Sequence, residues 1–185
     1  MAIYGLLPHL VGMMVARGLT VEAAVGALSL LSIFTTVGQF TSGFALDRID
    51  SAKISAGYVA LYALGVVMIA LTSDQTGPWT LYAGVILLGL GGGVAPMANY
   101  FFTRYFGLRS FAELMGIFRG LMAFITGLSP WVIGLIYDST GSYDVAFVIL
   151  IMGTVSSVII LALLPPYRYG VATPLAPPPK PEPAS

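Results

Sequence analysis

One arginine, Arg119, stands inside an apolar run that extends from Leu114 to Tyr137. It lies about five residues into that run, or roughly 7–8 Å deep for a helix rising about 1.5 Å per residue. A charge at mid-bilayer costs about 2.5–3.5 kcal/mol, and less where the side chain reaches back to the headgroups. Two readings follow. Arg119 snorkels to the membrane surface, or it faces a water-filled cavity, where it would bind an anion such as a carboxylate. Other polar residues are also set into apolar runs. Ser29, Ser32, Thr36, Gln39 and Gly43 recur at steps of three and four, which places them on one face of a helix. In lipid such a stripe faces protein or water, so it either lines a cavity or packs against a neighbour through small residues. Gln39 is the largest of them and suits a cavity better than packing. Asn99 lies near the end of another apolar run. His9, the one histidine, could relay a proton or serve as a hydrogen-bonded packing residue.

The elements that must hold these residues are membrane helices. The chain has 185 residues, 57% hydrophobic and 9% charged, with a mean hydropathy of +0.91. A soluble domain carries about 25% charged residues, so there is too little charge here to cover a water-facing surface. The formal net charge is zero, which gives no basic field for nucleic acid. Cysteine is absent, excluding disulfides and thiolate metal sites, and one histidine cannot build a histidine metal site. No basic segment precedes the first apolar run, so it does not read as a signal peptide. No nucleophile–base pair or cofactor fingerprint points to an enzyme, and no cofactor is expected.

A helix needs about 20 apolar residues to cross the hydrocarbon. Six spans are expected, at about 3–16, 21–46, 54–71, 79–100, 114–137 and 143–164, within an all-α bundle over 1–169. Val145 to Leu164 is continuously apolar and about twice the length of a barrel strand. Thr20 suits an N-cap, and Glu22 the positive end of the helix that follows. Of the eight basic residues, Arg48, Lys53, Arg104, Arg109, Arg168 and Lys180 fall in three segments that return to one face, and only Arg17 sits opposite. That pattern places the basic face and both termini in the cytoplasm. Trp79, Tyr82, Tyr137 and Tyr143 then fall near outer ends, and Tyr100, Tyr105 and Tyr167 near inner ends, as aromatic belts do. The proline-rich segment 170–185 is expected to be a disordered cytoplasmic tail. Gly89, Gly91, Gly92 and Gly93, followed by Pro96, are too rich in glycine for a stiff helix. They read as a hinge, with freed backbone groups re-satisfied nearby, or as a close helix crossing.

The junction of the second and third spans reads Gly43-Phe44-Ala45-Leu46-Asp47-Arg48-Ile49-Asp50-Ser51-Ala52-Lys53. Gly43 would let two helices approach closely. Asp47 ends a helix, where the dipole disfavours an anion. It therefore needs a cationic or N–H partner, unless the loop is simply solvated and fixes topology. The junction resembles the signature loop of the major facilitator superfamily, with Gly43, Asp47, Arg48 and Lys53 in register and with Asp50 and Ala52 standing where that family has a glycine and a base. Thr20 to Arg48 resembles the eighth helix of a twelve-helix carrier. Tyr105-Phe106-Gly107 with Gly116 resembles the cytoplasmic start of the eleventh, and Gly127-Leu128-Ser129-Pro130 with Gly134-Leu135-Ile136-Tyr137-Asp138 and Gly141-Ser142-Tyr143 its course and link to the twelfth. The similarity covers about Pro8 to Pro166 and is closest to the monocarboxylate and oxalate–formate branch.

The resemblance implies a six-helix C-terminal half with its first helix clipped. It implies secondary transport of a small solute, an organic anion in that branch, by alternating access as a symporter or antiporter in the cytoplasmic (inner) membrane. Arg119, Gln39, Asn99, Thr36 and His9 are then the candidates for contact with the solute and a coupling proton. Gly43, Asp47, Arg48 and Lys53 become a gate that closes in one transport state, and the glycine run with Pro96 and Pro130 supplies hinge or packing positions. The expected partners are lipid, the solute, and either an N-terminal half or a second copy. The alternative is a truncated or non-transporting protein that acts only through helix packing.

Overall fold

The computed structural model describes residues 2–49, 51, 53–73 and 75–165, and of residues 2–8 the backbone alone. The proline-rich tail, Arg168, Lys180 and Tyr167 lie outside the described residues, as do Asp50 and Ala52 of the junction loop. Every regular element among the described residues is an α-helix. They are α1 (Ala2–Ala16), α2 (Val21–Arg48), α3 (Lys53–Ala70), α4 (Pro78–Gly91), α5 (Val94–Phe106), α6 (Phe111–Thr140) and α7 (Asp144–Ala162). Five helical stretches are long and apolar enough to cross a membrane, with α4 and α5 counted as one stretch over Pro78–Phe106. At 15 residues, α1 is shorter than the roughly 20 a crossing requires.

Local chemistry sets the helix ends. Thr20 Oγ1 accepts the Ala23 N–H at 3.2 Å and caps α2. Pro78 opens α4 after Gly77 at φ +70°. Gly107 at φ +77° stops α5, and Gly141 at φ +68° stops α6 in the left-handed conformation. The span expected to end at Tyr100 runs on to Phe106 and is broken in two at Gly92 and Gly93. Pro96 has no N–H to donate and sits in the first turn of α5, where none is required. The break is a tightened turn and not an unwound segment: Gly92 N–H reaches Gly89 O at 2.8 Å and Gly93 N–H reaches Leu90 O at 3.1 Å.

In the bundle α4 is wedged between α2 and α3. The wedge works because glycines face each other. A Cβ on Gly89 would come within 2.9 Å of Thr35 N, and one on Gly91 within 2.5 Å of Tyr62 N. Gly93 lies against the Gly38 carbonyl in the same way. The glycine run is thus both a break in the helix and a double crossing. Gly43, expected to allow a close approach, is exposed, and a Cβ there would meet nothing in this chain. The close approach on α2 is made by Gly38, one and a half turns earlier.

The two ends of the bundle are identified by contacts. Tyr105 Oη donates to Pro165 O at 2.8 Å, joining the end of α5 to the segment after α7. Arg17 joins the α1–α2 turn to the end of α3 and the start of α7. The apolar core, built on Met13, Met14, Ala24, Ile69, Leu81, Val85 and Phe147, gathers towards the Arg17 end.

Candidate functional site

Two of the polar residues singled out from sequence, Asn99 and Arg119, stand at one level near the opposite, basic end, and Gln39, next to the Gly38 that packs on Gly93, lies roughly 9 Å deeper in the bundle. Asn99 lies seven residues before the last of α5, and Arg119 eight after the first of α6. At 1.5 Å per residue each is roughly 10–12 Å from its helix end. Arg119 Nη2 donates to Asn99 Oδ1 at 3.5 Å, bridging α5 and α6. That distance is at the outer limit of a hydrogen bond, and it is the one bond Arg119 makes among the described residues. Gln39 and Thr36 are exposed on α2. Thr36 and Ser32 turn their hydroxyls back to Ser32 O (3.1 Å) and Leu28 O (3.0 Å), so neither spends its proton on another helix.

The polar stripe of α2 therefore does not pack against this chain. Its packing face is the other one, where Ala24, Ala27, Leu31, Gly38 and Ser42 are buried. Ala95, Pro96 and Asn99 are likewise the exposed side of α5. On α6, 30 residues long, the buried residues are Met115 and Ile133. Gly116, Gly120 and Gly127 are open, with nothing within 4 Å of where a Cβ would be. The faces that carry Gln39, Asn99 and Arg119 are those the bundle leaves uncovered.

A cavity of about 580 Å³ adjoins this layer. Thr35 of α2, Tyr62 of α3, Ala98 and Phe101 of α5, Phe118 and Met122 of α6 and Leu161 of α7 bound it, and Ser32 lies on its wall. Its walls are apolar residues distant in sequence, in a chain where apolar residues are the norm, so sequence carried no signal of it.

His9 is not part of that layer. Its Nε2 lies 3.3 Å from Pro130 O, and its ring stands 6.1 Å from that of Tyr143, which stacks on Tyr137 at 4.4 Å. Pro130 is 11 residues from Arg119 along α6, roughly 16 Å. The structure thus separates His9 from the solute candidates and ties it into the α1–α6 contact. The junction residues Asp47, Arg48 and Gly43 are exposed at the basic end, and Lys53 opens α3. Among the described residues Asp47 has no ion-pair partner. Arg104, on the same end, is buried with its guanidinium 5.6 Å from the Tyr100 ring.

A family model described as Major Facilitator Superfamily matches residues 1–184. The chain belongs to the Major Facilitator Superfamily. No curated protein matches it, and no solved structure matches it. Membership makes the chain an integral membrane protein of a family that moves small solutes across membranes.

Sequence reasoning missed Arg17. Its Nη1 donates to Ala70 O at 2.8 Å, Thr72 O at 3.2 Å and Ile69 O at 3.3 Å, its Nη2 to Asp144 Oδ1 at 3.0 Å, and its guanidinium lies 5.1 Å from the Phe147 ring. It satisfies carbonyls left open at the end of α3, where a cation also suits the helix dipole. The available signal was its position as the lone base opposite the basic face.

Proposed function

We propose that this chain is a carrier of a small organic anion, working by alternating access as one six-helix body against a second half or a second copy. The observation that carries the reading is Arg119: a cation on an uncovered helix face, held by one 3.5 Å bond to Asn99. A carboxylate would complete its coordination with a charge-assisted pair. Gln39 and Thr36 would contribute neutral hydrogen bonds from deeper in the bundle, and the exposed faces of α5 and α6 would meet the second body. A cation set into an apolar helix favours an anion as its ligand, and the positive-inside rule supports a cytoplasmic membrane with the basic end inside. In this reading Asp47, Arg48 and Lys53 close against the second body in one transport state, and Gly92–Gly93 allows α4 and α5 to bend relative to each other. His9 packs α1 on α6 through Pro130 and is not assigned the coupling proton.

Counterflow of a labelled monocarboxylate into liposomes containing the purified chain, with whatever polypeptide copurifies, tests this. Losing a charged hydrogen-bond partner costs about 1.5–3 kcal/mol, so Arg119→Ala should lower uptake roughly 10- to 100-fold. Uptake unchanged by that substitution would overturn the anion site. Absence of any carriage would favour a protein that acts only by packing with partner helices, for which the open Gly116, Gly120 and Gly127 positions are suited.

A further inference from the structure

The cavity beside Arg119 has no place in the recognition of a small hydrophilic anion. It measures about 580 Å³, within the range of ligand pockets and several times the roughly 150 Å³ apolar cavity that accommodates benzene. Its walls offer hydrocarbon. Ala98 and Phe101 come from α5, and Phe118 and Met122 from α6. Two of the hydroxyls on the wall are turned back to their own helix: Thr35 donates to Leu31 O at 2.7 Å and Ser32 to Leu28 O at 3.0 Å. Water there would find few partners.

The charge stands at the edge of the cavity and not on its wall. Asn99 lies one turn on from Ala95, and Arg119 one turn before Met122, so the helices that wall the cavity carry the Arg119–Asn99 bridge beside it. A ligand with an anionic head on Arg119 has an apolar space within reach of its tail. We propose that the ligand is an amphipathic carboxylate, whose head group pairs with Arg119 and whose hydrocarbon part fills the α2–α5–α6 cavity. This rests on the reading of Arg119 as the anion site and adds the substrate class.

The test is equilibrium binding of labelled octanoate to the purified full chain, with competition by acetate, butyrate and hexanoate. Burying a methylene is worth about 0.8 kcal/mol, so affinity should climb about fourfold per carbon from acetate to octanoate. Ala98→Phe, which fills the cavity, should weaken octanoate at least tenfold and leave acetate unchanged. Ala95→Leu, at an exposed position on the same wall, should do the same to a smaller extent and keeps the test intact if the larger side chain disturbs folding, which helicity and elution would show. Arg119→Gln should weaken every acid by a similar factor. Octanoate binding indifferent to both filling variants but sensitive to Arg119→Gln would overturn the cavity proposal and keep the anion site. Binding sensitive to filling but indifferent to Arg119→Gln, with octanol binding as well as octanoate, would overturn both. A phospholipid that copurifies and that octanoate cannot displace would give the cavity to lipid and overturn the proposal.

Discussion

Two arginines, at opposite ends of the bundle, show how the same side chain is used in two ways. Arg17 is 19% exposed and carries four hydrogen bonds, one of them to Asp144, whose own side chain is 76% exposed. It stands over the well-packed end, among Met13, Ile69 and Phe147. Arg119 is exposed, makes one bond at 3.5 Å, and stands beside a cavity at the loosely packed end. A cation held by four bonds to its own chain has little left to offer a ligand. A cation with one long bond, on a face the described residues do not cover, keeps donors that a ligand could use. The helices show the same contrast: in the Pro78–Phe106 stretch 44% of the most apolar window is buried, and in α6 only 6%.

The largest separation should come from removing each arginine in turn. Arg17→Ala leaves the carbonyls at the end of α3 without their charged donor, at a cost of about 3 kcal/mol, or a fall in thermal midpoint of roughly 6–12 °C for a chain of this size. Thermal unfolding in detergent measures it. Arg119→Ala should change that midpoint little, because a surface substitution is worth about 0.5 kcal/mol or less, while abolishing most uptake. Equal destabilisation by both would collapse the distinction.

Glycines sharpen the same contrast between helices. Gly91→Ala puts a methyl against Tyr62 N, where a Cβ would lie at 2.5 Å, and overpacking costs about 1–3 kcal/mol. Gly120→Ala meets nothing within 4 Å and should be neutral or slightly stabilising in the isolated chain. If α6 meets a second body, Gly120→Leu should weaken copurification of that partner without affecting the thermal midpoint.

The smallest effect expected is at Asp144. Asp144→Asn removes the charge from an exposed pair worth about 0.2–1 kcal/mol and leaves the three Arg17–carbonyl bonds in place. Its midpoint should fall by only a few degrees, and less in high salt than in low. A loss as large as that of Arg17→Ala would mean that the ion pair, and not the carbonyl capping, holds that end together.

What could be read without coordinates was what lipid forces on a chain. Every spanning segment must satisfy its own backbone, so helices and their order follow from apolar runs, and the bases mark one set of turns. Thr20 is local chemistry and was legible as a cap, whereas the glycines at the ends of α5 and α6 are known as stops only from their backbone angles. The Gly89–Gly93 run was visible, but its two readings could not be separated, because the same glycines serve as break and as contact. Which face of α6 stays open was not read from sequence. Gly116, Gly120 and Gly127 recur at steps of four and seven on one side, but lipid, a neighbour in this chain and a second body would all accept such a face. The partners of Arg17 are backbone carbonyls, which no residue type announces. His9 had a plausible chemistry of its own, and only its distance from Arg119 along α6 separates it from that layer.

The central claim is that the helix faces carrying Gln39, Asn99 and Arg119 meet water and solute, and not lipid. The chain has no cysteine, so single cysteines report without background. Gln39→Cys and Asn99→Cys, labelled in intact membranes with a charged, membrane-impermeant thiol reagent, test it most directly. Both should label, and octanoate should slow the labelling, whereas Phe124→Cys, in the exposed apolar part of α6, should not react. Failure of both positions to label while lipid-soluble maleimide reaches them would place Arg119 among acyl chains, snorkelling to the headgroups, and contradict the account.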